Sequence, residues 1–582
     1  MSVGPRSLFL TFTTPRIQAS TMDFAPDLDV AVIGGGFSGL YAAHSILARA
    51  PDLKVCVVEG SGRLGGRVVT RRFPDGTVLE LGPSFTGLPP GVEDVPELWE
   101  NPHIHGLLRE FELREPQIND FPRHLRSVNV FRDPAAGPED DGCVSCRAWP
   151  FTGTVRDEDM VLAFTRDFDE QLVKGGLLDA EGGPGPLFDT PWDSPLIAQL
   201  DQLSIADFAQ MDDQTRPLAP VLGMFVRTVL SQEPENVSMG FFTYYVARCG
   251  GLTAMTSSVE QGPDSRRVWE GLEVVIDRLA EAIRARGGVI RLAAPLVRVA
   301  SAGDHLALEL SDGDTLTCRR LIVALPPHLC SGIAFDLGAD AQAAVERRVE
   351  LGRDMVMGRM YKGYVRYPTE WWSRYATTPP PPGGAPVQDC TARTQCFDTL
   401  GDALTCSPED AVEPMSSDCW GDGYTGYSNG DCTFINWTMP SGWRHEGDGD
   451  EGGDGDDAGV ANPALMWFVV GDKADALRAM SPEDRRRAVL ESLRSLFFAA
   501  APDKPLELVE IDWYEEPCGG GPTSTMPPGL LTRLGPSLRA PAGAVHWAGT
   551  ETARRFGGYI EGALEAGARA ASEVLTALGL EG

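Results

Sequence analysis

An apolar run, Val30 to Ile33, leads directly into Gly34-Gly35-Gly36-Phe37-Ser38-Gly39. A second apolar run, Val55 to Val58, ends in Glu59, twenty residues after the last of these glycines. No other feature constrains the fold as tightly. Continuous apolar runs of this length read as buried parallel strands. Glycines at 34, 36 and 39 let the chain bend sharply, approach a pyrophosphate closely and seat a helix against the strand. The helix is expected to begin near Phe37, with the amides of its first turn, from Phe37, Ser38 and Gly39, facing the phosphates. Glu59 is then placed to accept hydrogen bonds from ribose hydroxyls. A lone Gly-x-Gly-x-x-Gly is also what any Gly-rich turn looks like. The strand, the helix and an acid at this separation together select a dinucleotide site.

The residues after Glu59 distinguish among dinucleotides. Gly60 to Val68 reads GSGRLGGRV, placing Arg63 and Arg67 around the Gly65-Gly66 turn, so that guanidinium groups and bare backbone amides stand beside a diphosphate. The form E-x-x-x-R-x-G-G-R resembles the second fingerprint of the FAD-dependent amine oxidases and their relatives, the protoporphyrinogen oxidases and carotenoid desaturases. Near the C-terminus, His546 to Ala571 reads HWAGTETARRFGGYIEGALEAGARAA. It resembles the closing segment of the monoamine oxidase and polyamine oxidase branch. By pattern it is a strand (544–548), a polar turn (549–558) and a helix of small residues (562–575) whose N-terminus can face an electron-rich group. The resemblance implies that this group is the flavin pyrimidine edge, received by backbone at Ile560, and that Gly549, Thr550 and Glu551 lie near the ribose and phosphates.

Other pieces fall in the order of that family. Gly82, Pro83 and Ser84 belong to the first flavin segment, with Phe85 next as a wall of the substrate pocket. Residues 295–299 resemble the strand that meets adenine near Val297, and Leu321 to Pro327 (LIVALPP) the strand that closes the middle flavin segment. Met360 to Tyr367 (MYKGYVRY) resembles the strand bearing the family's active-site lysine, which falls on Lys362. On a mostly apolar strand a lysine is either an edge side chain that snorkels to water or an internal functional group, and the family order favours the second. Val509 to Glu516 (VEIDWYEE) resembles the strand whose tryptophan, here Trp513, approaches the flavin. Lys362, Trp513 and Tyr559 are the catalytic candidates implied.

Departures from the family carry information. After Glu516 the chain reads PCGGGPTSTMPPG. Anchored on Pro527-Pro528-Gly529, this puts Gly521 where monoamine oxidases have a flavin-linking cysteine, and Pro522 where they have the first tyrosine of an aromatic cage. FAD is therefore expected to bind non-covalently; Cys518 could substitute only by a shifted alignment. The second cage position is kept as Tyr559, and half a cage weakens recognition of an amine between two rings. No arginine stands between Arg72 and Arg109, so the carboxylate clamp of L-amino-acid oxidases is missing from its usual place. An amine is favoured over a free amino acid.

At 582 residues the chain calls for about two domains. An α/β fold is expected. Its Rossmann-like FAD-binding domain is assembled from residues 23–96, 262–328 and 519–578, with an α+β substrate domain from 97–261 and 329–518. The formal charge of -33 argues against nucleic acid and fits a cationic partner. Part of that charge lies in Glu446 to Asp457, within a region (441–460) that reads as an inserted, solvated loop rather than as a device for steering polyamines. A second insertion, near 376–431, holds Cys390, Cys396, Cys406 and Cys419, with Cys432 just after. Disulfides in an oxidising compartment would explain that cluster, and no histidine pattern suggests zinc. Cys143 and Cys146 read as a chance CxxC.

Residues 1–22 are rich in Ser and Thr, contain Arg6 and Arg16, and precede the fold. They resemble an organelle transit peptide, which would place the protein in a plastid or mitochondrion. An unstructured extension or a start at Met22 fits equally, and then a cytoplasmic location. No apolar stretch is long enough to span a bilayer, so a soluble protein is expected.

The chemistry is bounded by the flavin, which needs a donor C–H bond held over N5 in a dry pocket. An apolar cavity that favours the neutral amine assists hydride loss. By resemblance, Lys362 holds a water near N5 and helps O2 reoxidise the cofactor, while Trp513, Tyr559 and Phe85 wall the cavity. The leading expectation is an amine oxidase producing an imine or aldehyde and hydrogen peroxide. A desaturase or isomerase of unsaturated lipids or isoprenoids is the second, and a low-turnover flavin-binding protein the third.

Overall fold

Residues Leu28–Ile33 form a strand whose last four side chains are fully buried. It sits in the middle of an eight-stranded sheet because both of its neighbours run parallel to it: Val55–Val58 on one side and Thr315–Val323 on the other. A parallel strand covered on both faces must be apolar throughout, and VAVI and VCVV are. Val55–Val58 pairs in turn with Val289–Arg291, and Thr315–Val323 with Val545–Trp547, both parallel. Three distant parts of the sequence therefore converge on one sheet, whose far edge also takes Ala334–Asp336.

The computed structural model describes residues 27–91, 97–113, 155–213, 215–256, 266–268, 270–368, 464–496, 504–517 and 519–581, with short strands at 117–118, 129–131, 145–147, 425–427 and 435–439. The N-terminal extension, the acidic tract, Cys143, Cys518 and the cysteines of the 376–431 insertion with Cys432 lie outside the described residues.

One face of this sheet is covered by Phe37–Arg49 and the closing helix Ile560–Ala577, which form an apolar core with Glu273–Ala285. Phe37–Arg49 and Ile560–Ala577 approach closely because their contact is made of small residues: a Cβ added at Gly567 would lie 2.4 Å from the Ser38 carbonyl oxygen. The closing helix starts at Ile560, two residues before the small-residue pattern suggested, with Tyr559 as its N-cap.

A second sheet of five antiparallel strands runs in the order Thr425–Tyr427, Ile435–Met439, Ala464–Val470, Met360–Arg366, Glu507–Asp512. Met360–Arg366 is flanked on both sides, so its side chains are enclosed rather than at an edge. Beside it lies a helical layer. Ile205–Ala209 is closed by a reciprocal Ser204–Asp207 capping box, and a 3-10 turn, Arg216–Leu218, runs on into the helix Ala219–Leu230. Met239–Arg248 (MGFFTYYVAR) is buried at every one of its ten positions. That uniform burial places it at the centre of the largest apolar cluster.

Candidate active site

The glycine turn is built as the sequence requires. Gly34 adopts φ +107, a region closed to most side chains, and a Cβ at Gly39 would lie 2.0 Å from the Gly34 carbonyl oxygen. Gly36 differs, because nothing in the protein comes within 3.8 Å of a Cβ placed there. Its bareness serves a space above the turn, at the N-terminus of Phe37–Arg49, where a diphosphate would lie. Glu59 is buried and its two oxygens accept from the Gly35 and Ser61 amides at 2.7 Å each, tying the two fingerprints together. A carboxylate has further lone pairs for a ribose hydroxyl.

The two arginines have different work. Arg63 folds its own loop, donating to the carbonyls of Leu64, Gly66 and Val68. Arg67 reaches the third segment, pairing with Glu551 at 2.9 Å and donating to the Pro522 carbonyl at 3.1 Å. Burial works to raise the Glu551 pKa, but the Arg67 charge and hydrogen bonds outweigh it and hold the carboxyl below the usual range. Ser38 Oγ accepts from the Gly549 amide at 2.8 Å, and Thr550 Oγ1 donates to the Tyr559 carbonyl and accepts from the Gly558 amide. Val297 stands on Leu296–Ala302, partly exposed, in the chain just beyond Ala293 and Ala294, whose amides bond Ser61 and Glu59. The residues fit a flavin dinucleotide: the fingerprints supply a bare turn, a helix N-terminus, a buried acid and a guanidinium.

Two donors from the second sheet, and a third from the residue just after its edge strand, pin consecutive carbonyls of the first flavin segment. Tyr364 Oη donates to Glu80 O at 2.9 Å, Trp513 Nε1 to Leu81 O at 2.8 Å, and Lys362 Nζ to Gly82 O at 2.5 Å. Lys362 also donates to Ser84 Oγ at 2.9 Å and is only 4% exposed, so it does not snorkel. Burial drives both Lys362 and the nearby Glu80 toward their neutral forms. The lysine is pushed down to about 7, against the attraction of Glu80 and with the repulsion of Arg267, and the Glu80 carboxyl is pushed up to about 7. Glu80 is held by the Thr70 hydroxyl and the Leu272 amide. Phe85 lies beneath the Arg267 guanidinium at 4.7 Å. Pro83 stands between the pinned Gly82 and Ser84.

Tyr559 does not stand alone. Its ring stacks on Tyr245 at 6.2 Å and 26°, with Phe556 edge-on at 6.2 Å. Pro522 contributes no ring. A Cβ at Gly521 would meet the Gly358 carbonyl oxygen at 2.5 Å, and φ there is +134, so a side chain is excluded on two counts. Sequence reasoning named Lys362, Trp513 and the cofactor residues but passed over Glu80, Tyr364 and Tyr245. The aromatic run FFTYY at 241–245, with Cys249-Gly250-Gly251 soon after, was the available signal. Among the described residues no cluster could hold a metal, and no helix is long and apolar enough to cross a membrane.

Comparison with known proteins decides the family, since residues 37–575 match the sequence profile of the flavin containing amine oxidoreductases. The chain belongs to that family. It is 26% identical over 554 residues to amine oxidase [flavin-containing] A of Equus caballus, covering 95% of this chain and 85% of that protein. To amine oxidase [flavin-containing] B of Homo sapiens it is 25% identical over 553 residues, with 95% and 86% covered. Among solved structures, cyclohexylamine oxidase from Brevibacterium oxydans IH-35A shares the fold at TM-score 0.68 and 23% identity, covering 95% of this chain and 100% of that one. Putrescine oxidase bound to putrescine does so at 0.66 and 21%, with 94% and 99% covered. This flavin-containing amine oxidoreductase is thus an oxidoreductase with an α/β fold and a flavin as its cofactor.

Proposed function

We propose that this oxidoreductase holds FAD non-covalently and oxidises the C–N bond of a small amine, with O2 as the electron acceptor, giving an imine or aldehyde and hydrogen peroxide. The observation that carries the reading is Lys362, fully enclosed at Gly82 and Ser84 beside Trp513 in a chain of this family. When bound, the flavin supplies hydride acceptance and reaction with oxygen. In the proposal residues 23–96, 262–328 and 519–578 form the cofactor part, and 97–261 with 329–518 the substrate part.

The protein's share is position and electrostatics. Gly34, Gly36, Phe37, Ser38 and Gly39 receive the diphosphate, with Arg67 beside it; Glu59 takes a ribose, Val297 borders the adenine, and Gly549, Thr550, Glu551 and Ile560 line the flavin end. As the ammonium, Lys362 has three N–H donors. Two are used by Gly82 and Ser84, and the third holds a water at the reacting face. Trp513, Tyr559 and Phe85 exclude bulk water, which favours the neutral amine. The named relatives that act on cyclohexylamine and putrescine are both amine oxidases, in keeping with this reading.

A second reading, a desaturase or isomerase of unsaturated lipids, draws on Pro522, which puts no ring at the first cage position. Anaerobic titration of the purified flavoprotein separates the two. Bleaching of the flavin by amines, with hydrogen peroxide formed on readmitting air, supports the first; bleaching by polyenes and not by any amine would establish the second.

A further inference from the structure

We infer that Glu80 is a positioning residue for the oxygen step: its buried carboxylate is the counter-charge that holds Lys362 as an ammonium while leaving the lysine's third N–H free. The inference rests on the amine-oxidase reading above and deepens it.

Lys362 and Tyr364 lie two apart on the central strand Met360–Arg366 and so share a face. The segment from Glu80 to Ser84 runs along that face, since Tyr364 Oη donates to Glu80 O, and Lys362 Nζ to Gly82 O and Ser84 Oγ. Other elements anchor the Glu80 side chain. Its carboxylate accepts from the Thr70 hydroxyl at 3.0 and 3.1 Å and from the Leu272 amide at 2.5 Å, and a Cβ at Gly271 would fall 2.9 Å from Oε1. The strand pair Thr70–Arg72 and Val78–Glu80, the turn before Glu273–Ala285 and the central strand therefore fix the carboxylate and the ammonium relative to one another.

Both groups are buried, and neither makes an ion pair among the described residues. Enclosed arginines nearby do: Arg366 pairs with Asp75 and Glu507, and Arg67 with Glu551. A buried ammonium is costly unless its charge is offset, and in a low-dielectric interior a carboxylate acts on it beyond contact distance. Burial lowers the Lys362 pKa; the Glu80 charge works to raise it, and the Arg267 guanidinium lowers it further. Burial raises the Glu80 pKa in turn, while the Leu272 amide, the Thr70 hydroxyl and Lys362 lower it and Glu273 raises it. Glu273 is itself paired with Arg72, and burial pushes the Tyr364 phenol well up, so that it stays neutral. Glu80 is thus the carboxylate that answers the lysine. In direct contact it would take a further N–H of the ammonium; held out of contact, it supplies charge and leaves that donor for a water.

The chain has only five lysines, at 54, 174, 362, 473 and 504, so Lys362 can be read directly. NMR of isotope-labelled lysine side chains in the oxidised holoenzyme gives its titration, with the signal assigned by its loss in Lys362→Met. In Glu80→Gln the midpoint is expected to fall by about one pH unit from the wild type. After reduction with dithionite, reoxidation of that variant by oxygen should be about fivefold slower than the wild type at pH 7, and equal to it well below both midpoints. A merely structural role would slow reoxidation at every pH and leave the Lys362 midpoint in place, which overturns the inference. Should Glu80→Gln fail to fold, Thr70→Val removes a hydrogen bond that favours the Glu80 carboxylate. It should move the midpoint in the same direction by a smaller step, and an unmoved midpoint there overturns the inference equally. Because the lysine is read without turnover and dithionite replaces the substrate, that result leaves the amine-oxidase reading intact. A reduced wild type that reacts with oxygen no faster than free reduced flavin removes the oxygen step itself, and the inference with it.

Discussion

Lys362 combines enclosure with a charge poised near neutrality. Burial holds its pKa down at about 7, so the ammonium predominates only below that pH. A reoxidation step that uses this charge must slow as pH rises through 7. Stopped-flow mixing of reduced enzyme with oxygen is expected to show the fall in the wild type and to lose it in Lys362→Met. That variant should keep its fold and flavin, since the stem is of similar length, yet reoxidise about ten- to a thousandfold more slowly, the range typical for removing one preorganised electrostatic group. An unchanged rate would reduce Lys362 to a brace for Gly82 and Ser84. The glycines of the turn offer a second, cleaner separation. A side chain at Gly39 collides with the protein's own backbone, whereas a Cβ at Gly36 meets Gly65 and Gly66 only at ordinary contact distances of 3.8 and 4.0 Å. Gly36→Val is therefore expected to give soluble, folded protein without yellow colour, and Gly39→Val to give little folded protein at all. Absorbance at about 450 nm alongside circular dichroism distinguishes the outcomes; normal flavin in purified Gly36→Val would sink the assignment of the diphosphate to this turn.

At the scale of elements, helix Pro102–Glu110 is tied to the closing helix by Glu561, which accepts from the His103 and Ile104 amides at 2.9 and 3.0 Å. Burial raises the Glu561 pKa to about 7 despite those bonds. A carboxyl whose folded pKa lies above its unfolded value contributes stability below the unfolded value, and that contribution is lost as pH rises through the folded one. Glu561→Gln, which stays neutral, should therefore gain on the wild type between about pH 4.5 and 7, by on the order of 2–3 kcal/mol. Melting temperatures of the two proteins across that range check it, and a difference that does not move with pH would show that Glu561 ionises freely in the fold. These elements were legible in the sequence to different degrees. The glycine turn and the closing helix could be placed to within a residue or two because their signals are local. Met239–Arg248 was not read as a site element, since a helix buried on every face has no amphipathic stripe to announce it. The burial of Lys362 depended on two partner strands, Ala464–Val470 and Glu507–Asp512, that come from far along the chain, so composition around residue 362 could not decide it.

Over the whole molecule, the proposed cofactor site is assembled where three remote stretches of chain meet, through the Ala294–Glu59 backbone hydrogen bond, the Ser38–Gly549 hydrogen bond and the Arg67–Glu551 pair. FAD that contacts all three binds the folded state and not the unfolded one, so it must stabilise the protein by mass action, by about 4 kcal/mol at a thousandfold excess over its Kd. Apoprotein should accordingly melt lower than holoprotein, with the gap widening as FAD is added. Nothing at residue 521 can anchor the cofactor covalently, because glycine stands there in a backbone conformation and a space that admit no side chain. The same unfolding that separates the three stretches must then release the flavin. Acid or heat precipitation is expected to leave all the yellow colour in the supernatant. Colour retained on the denatured protein would require a linkage elsewhere in the chain and would overturn the assignment of a site held together, and emptied, by the fold alone.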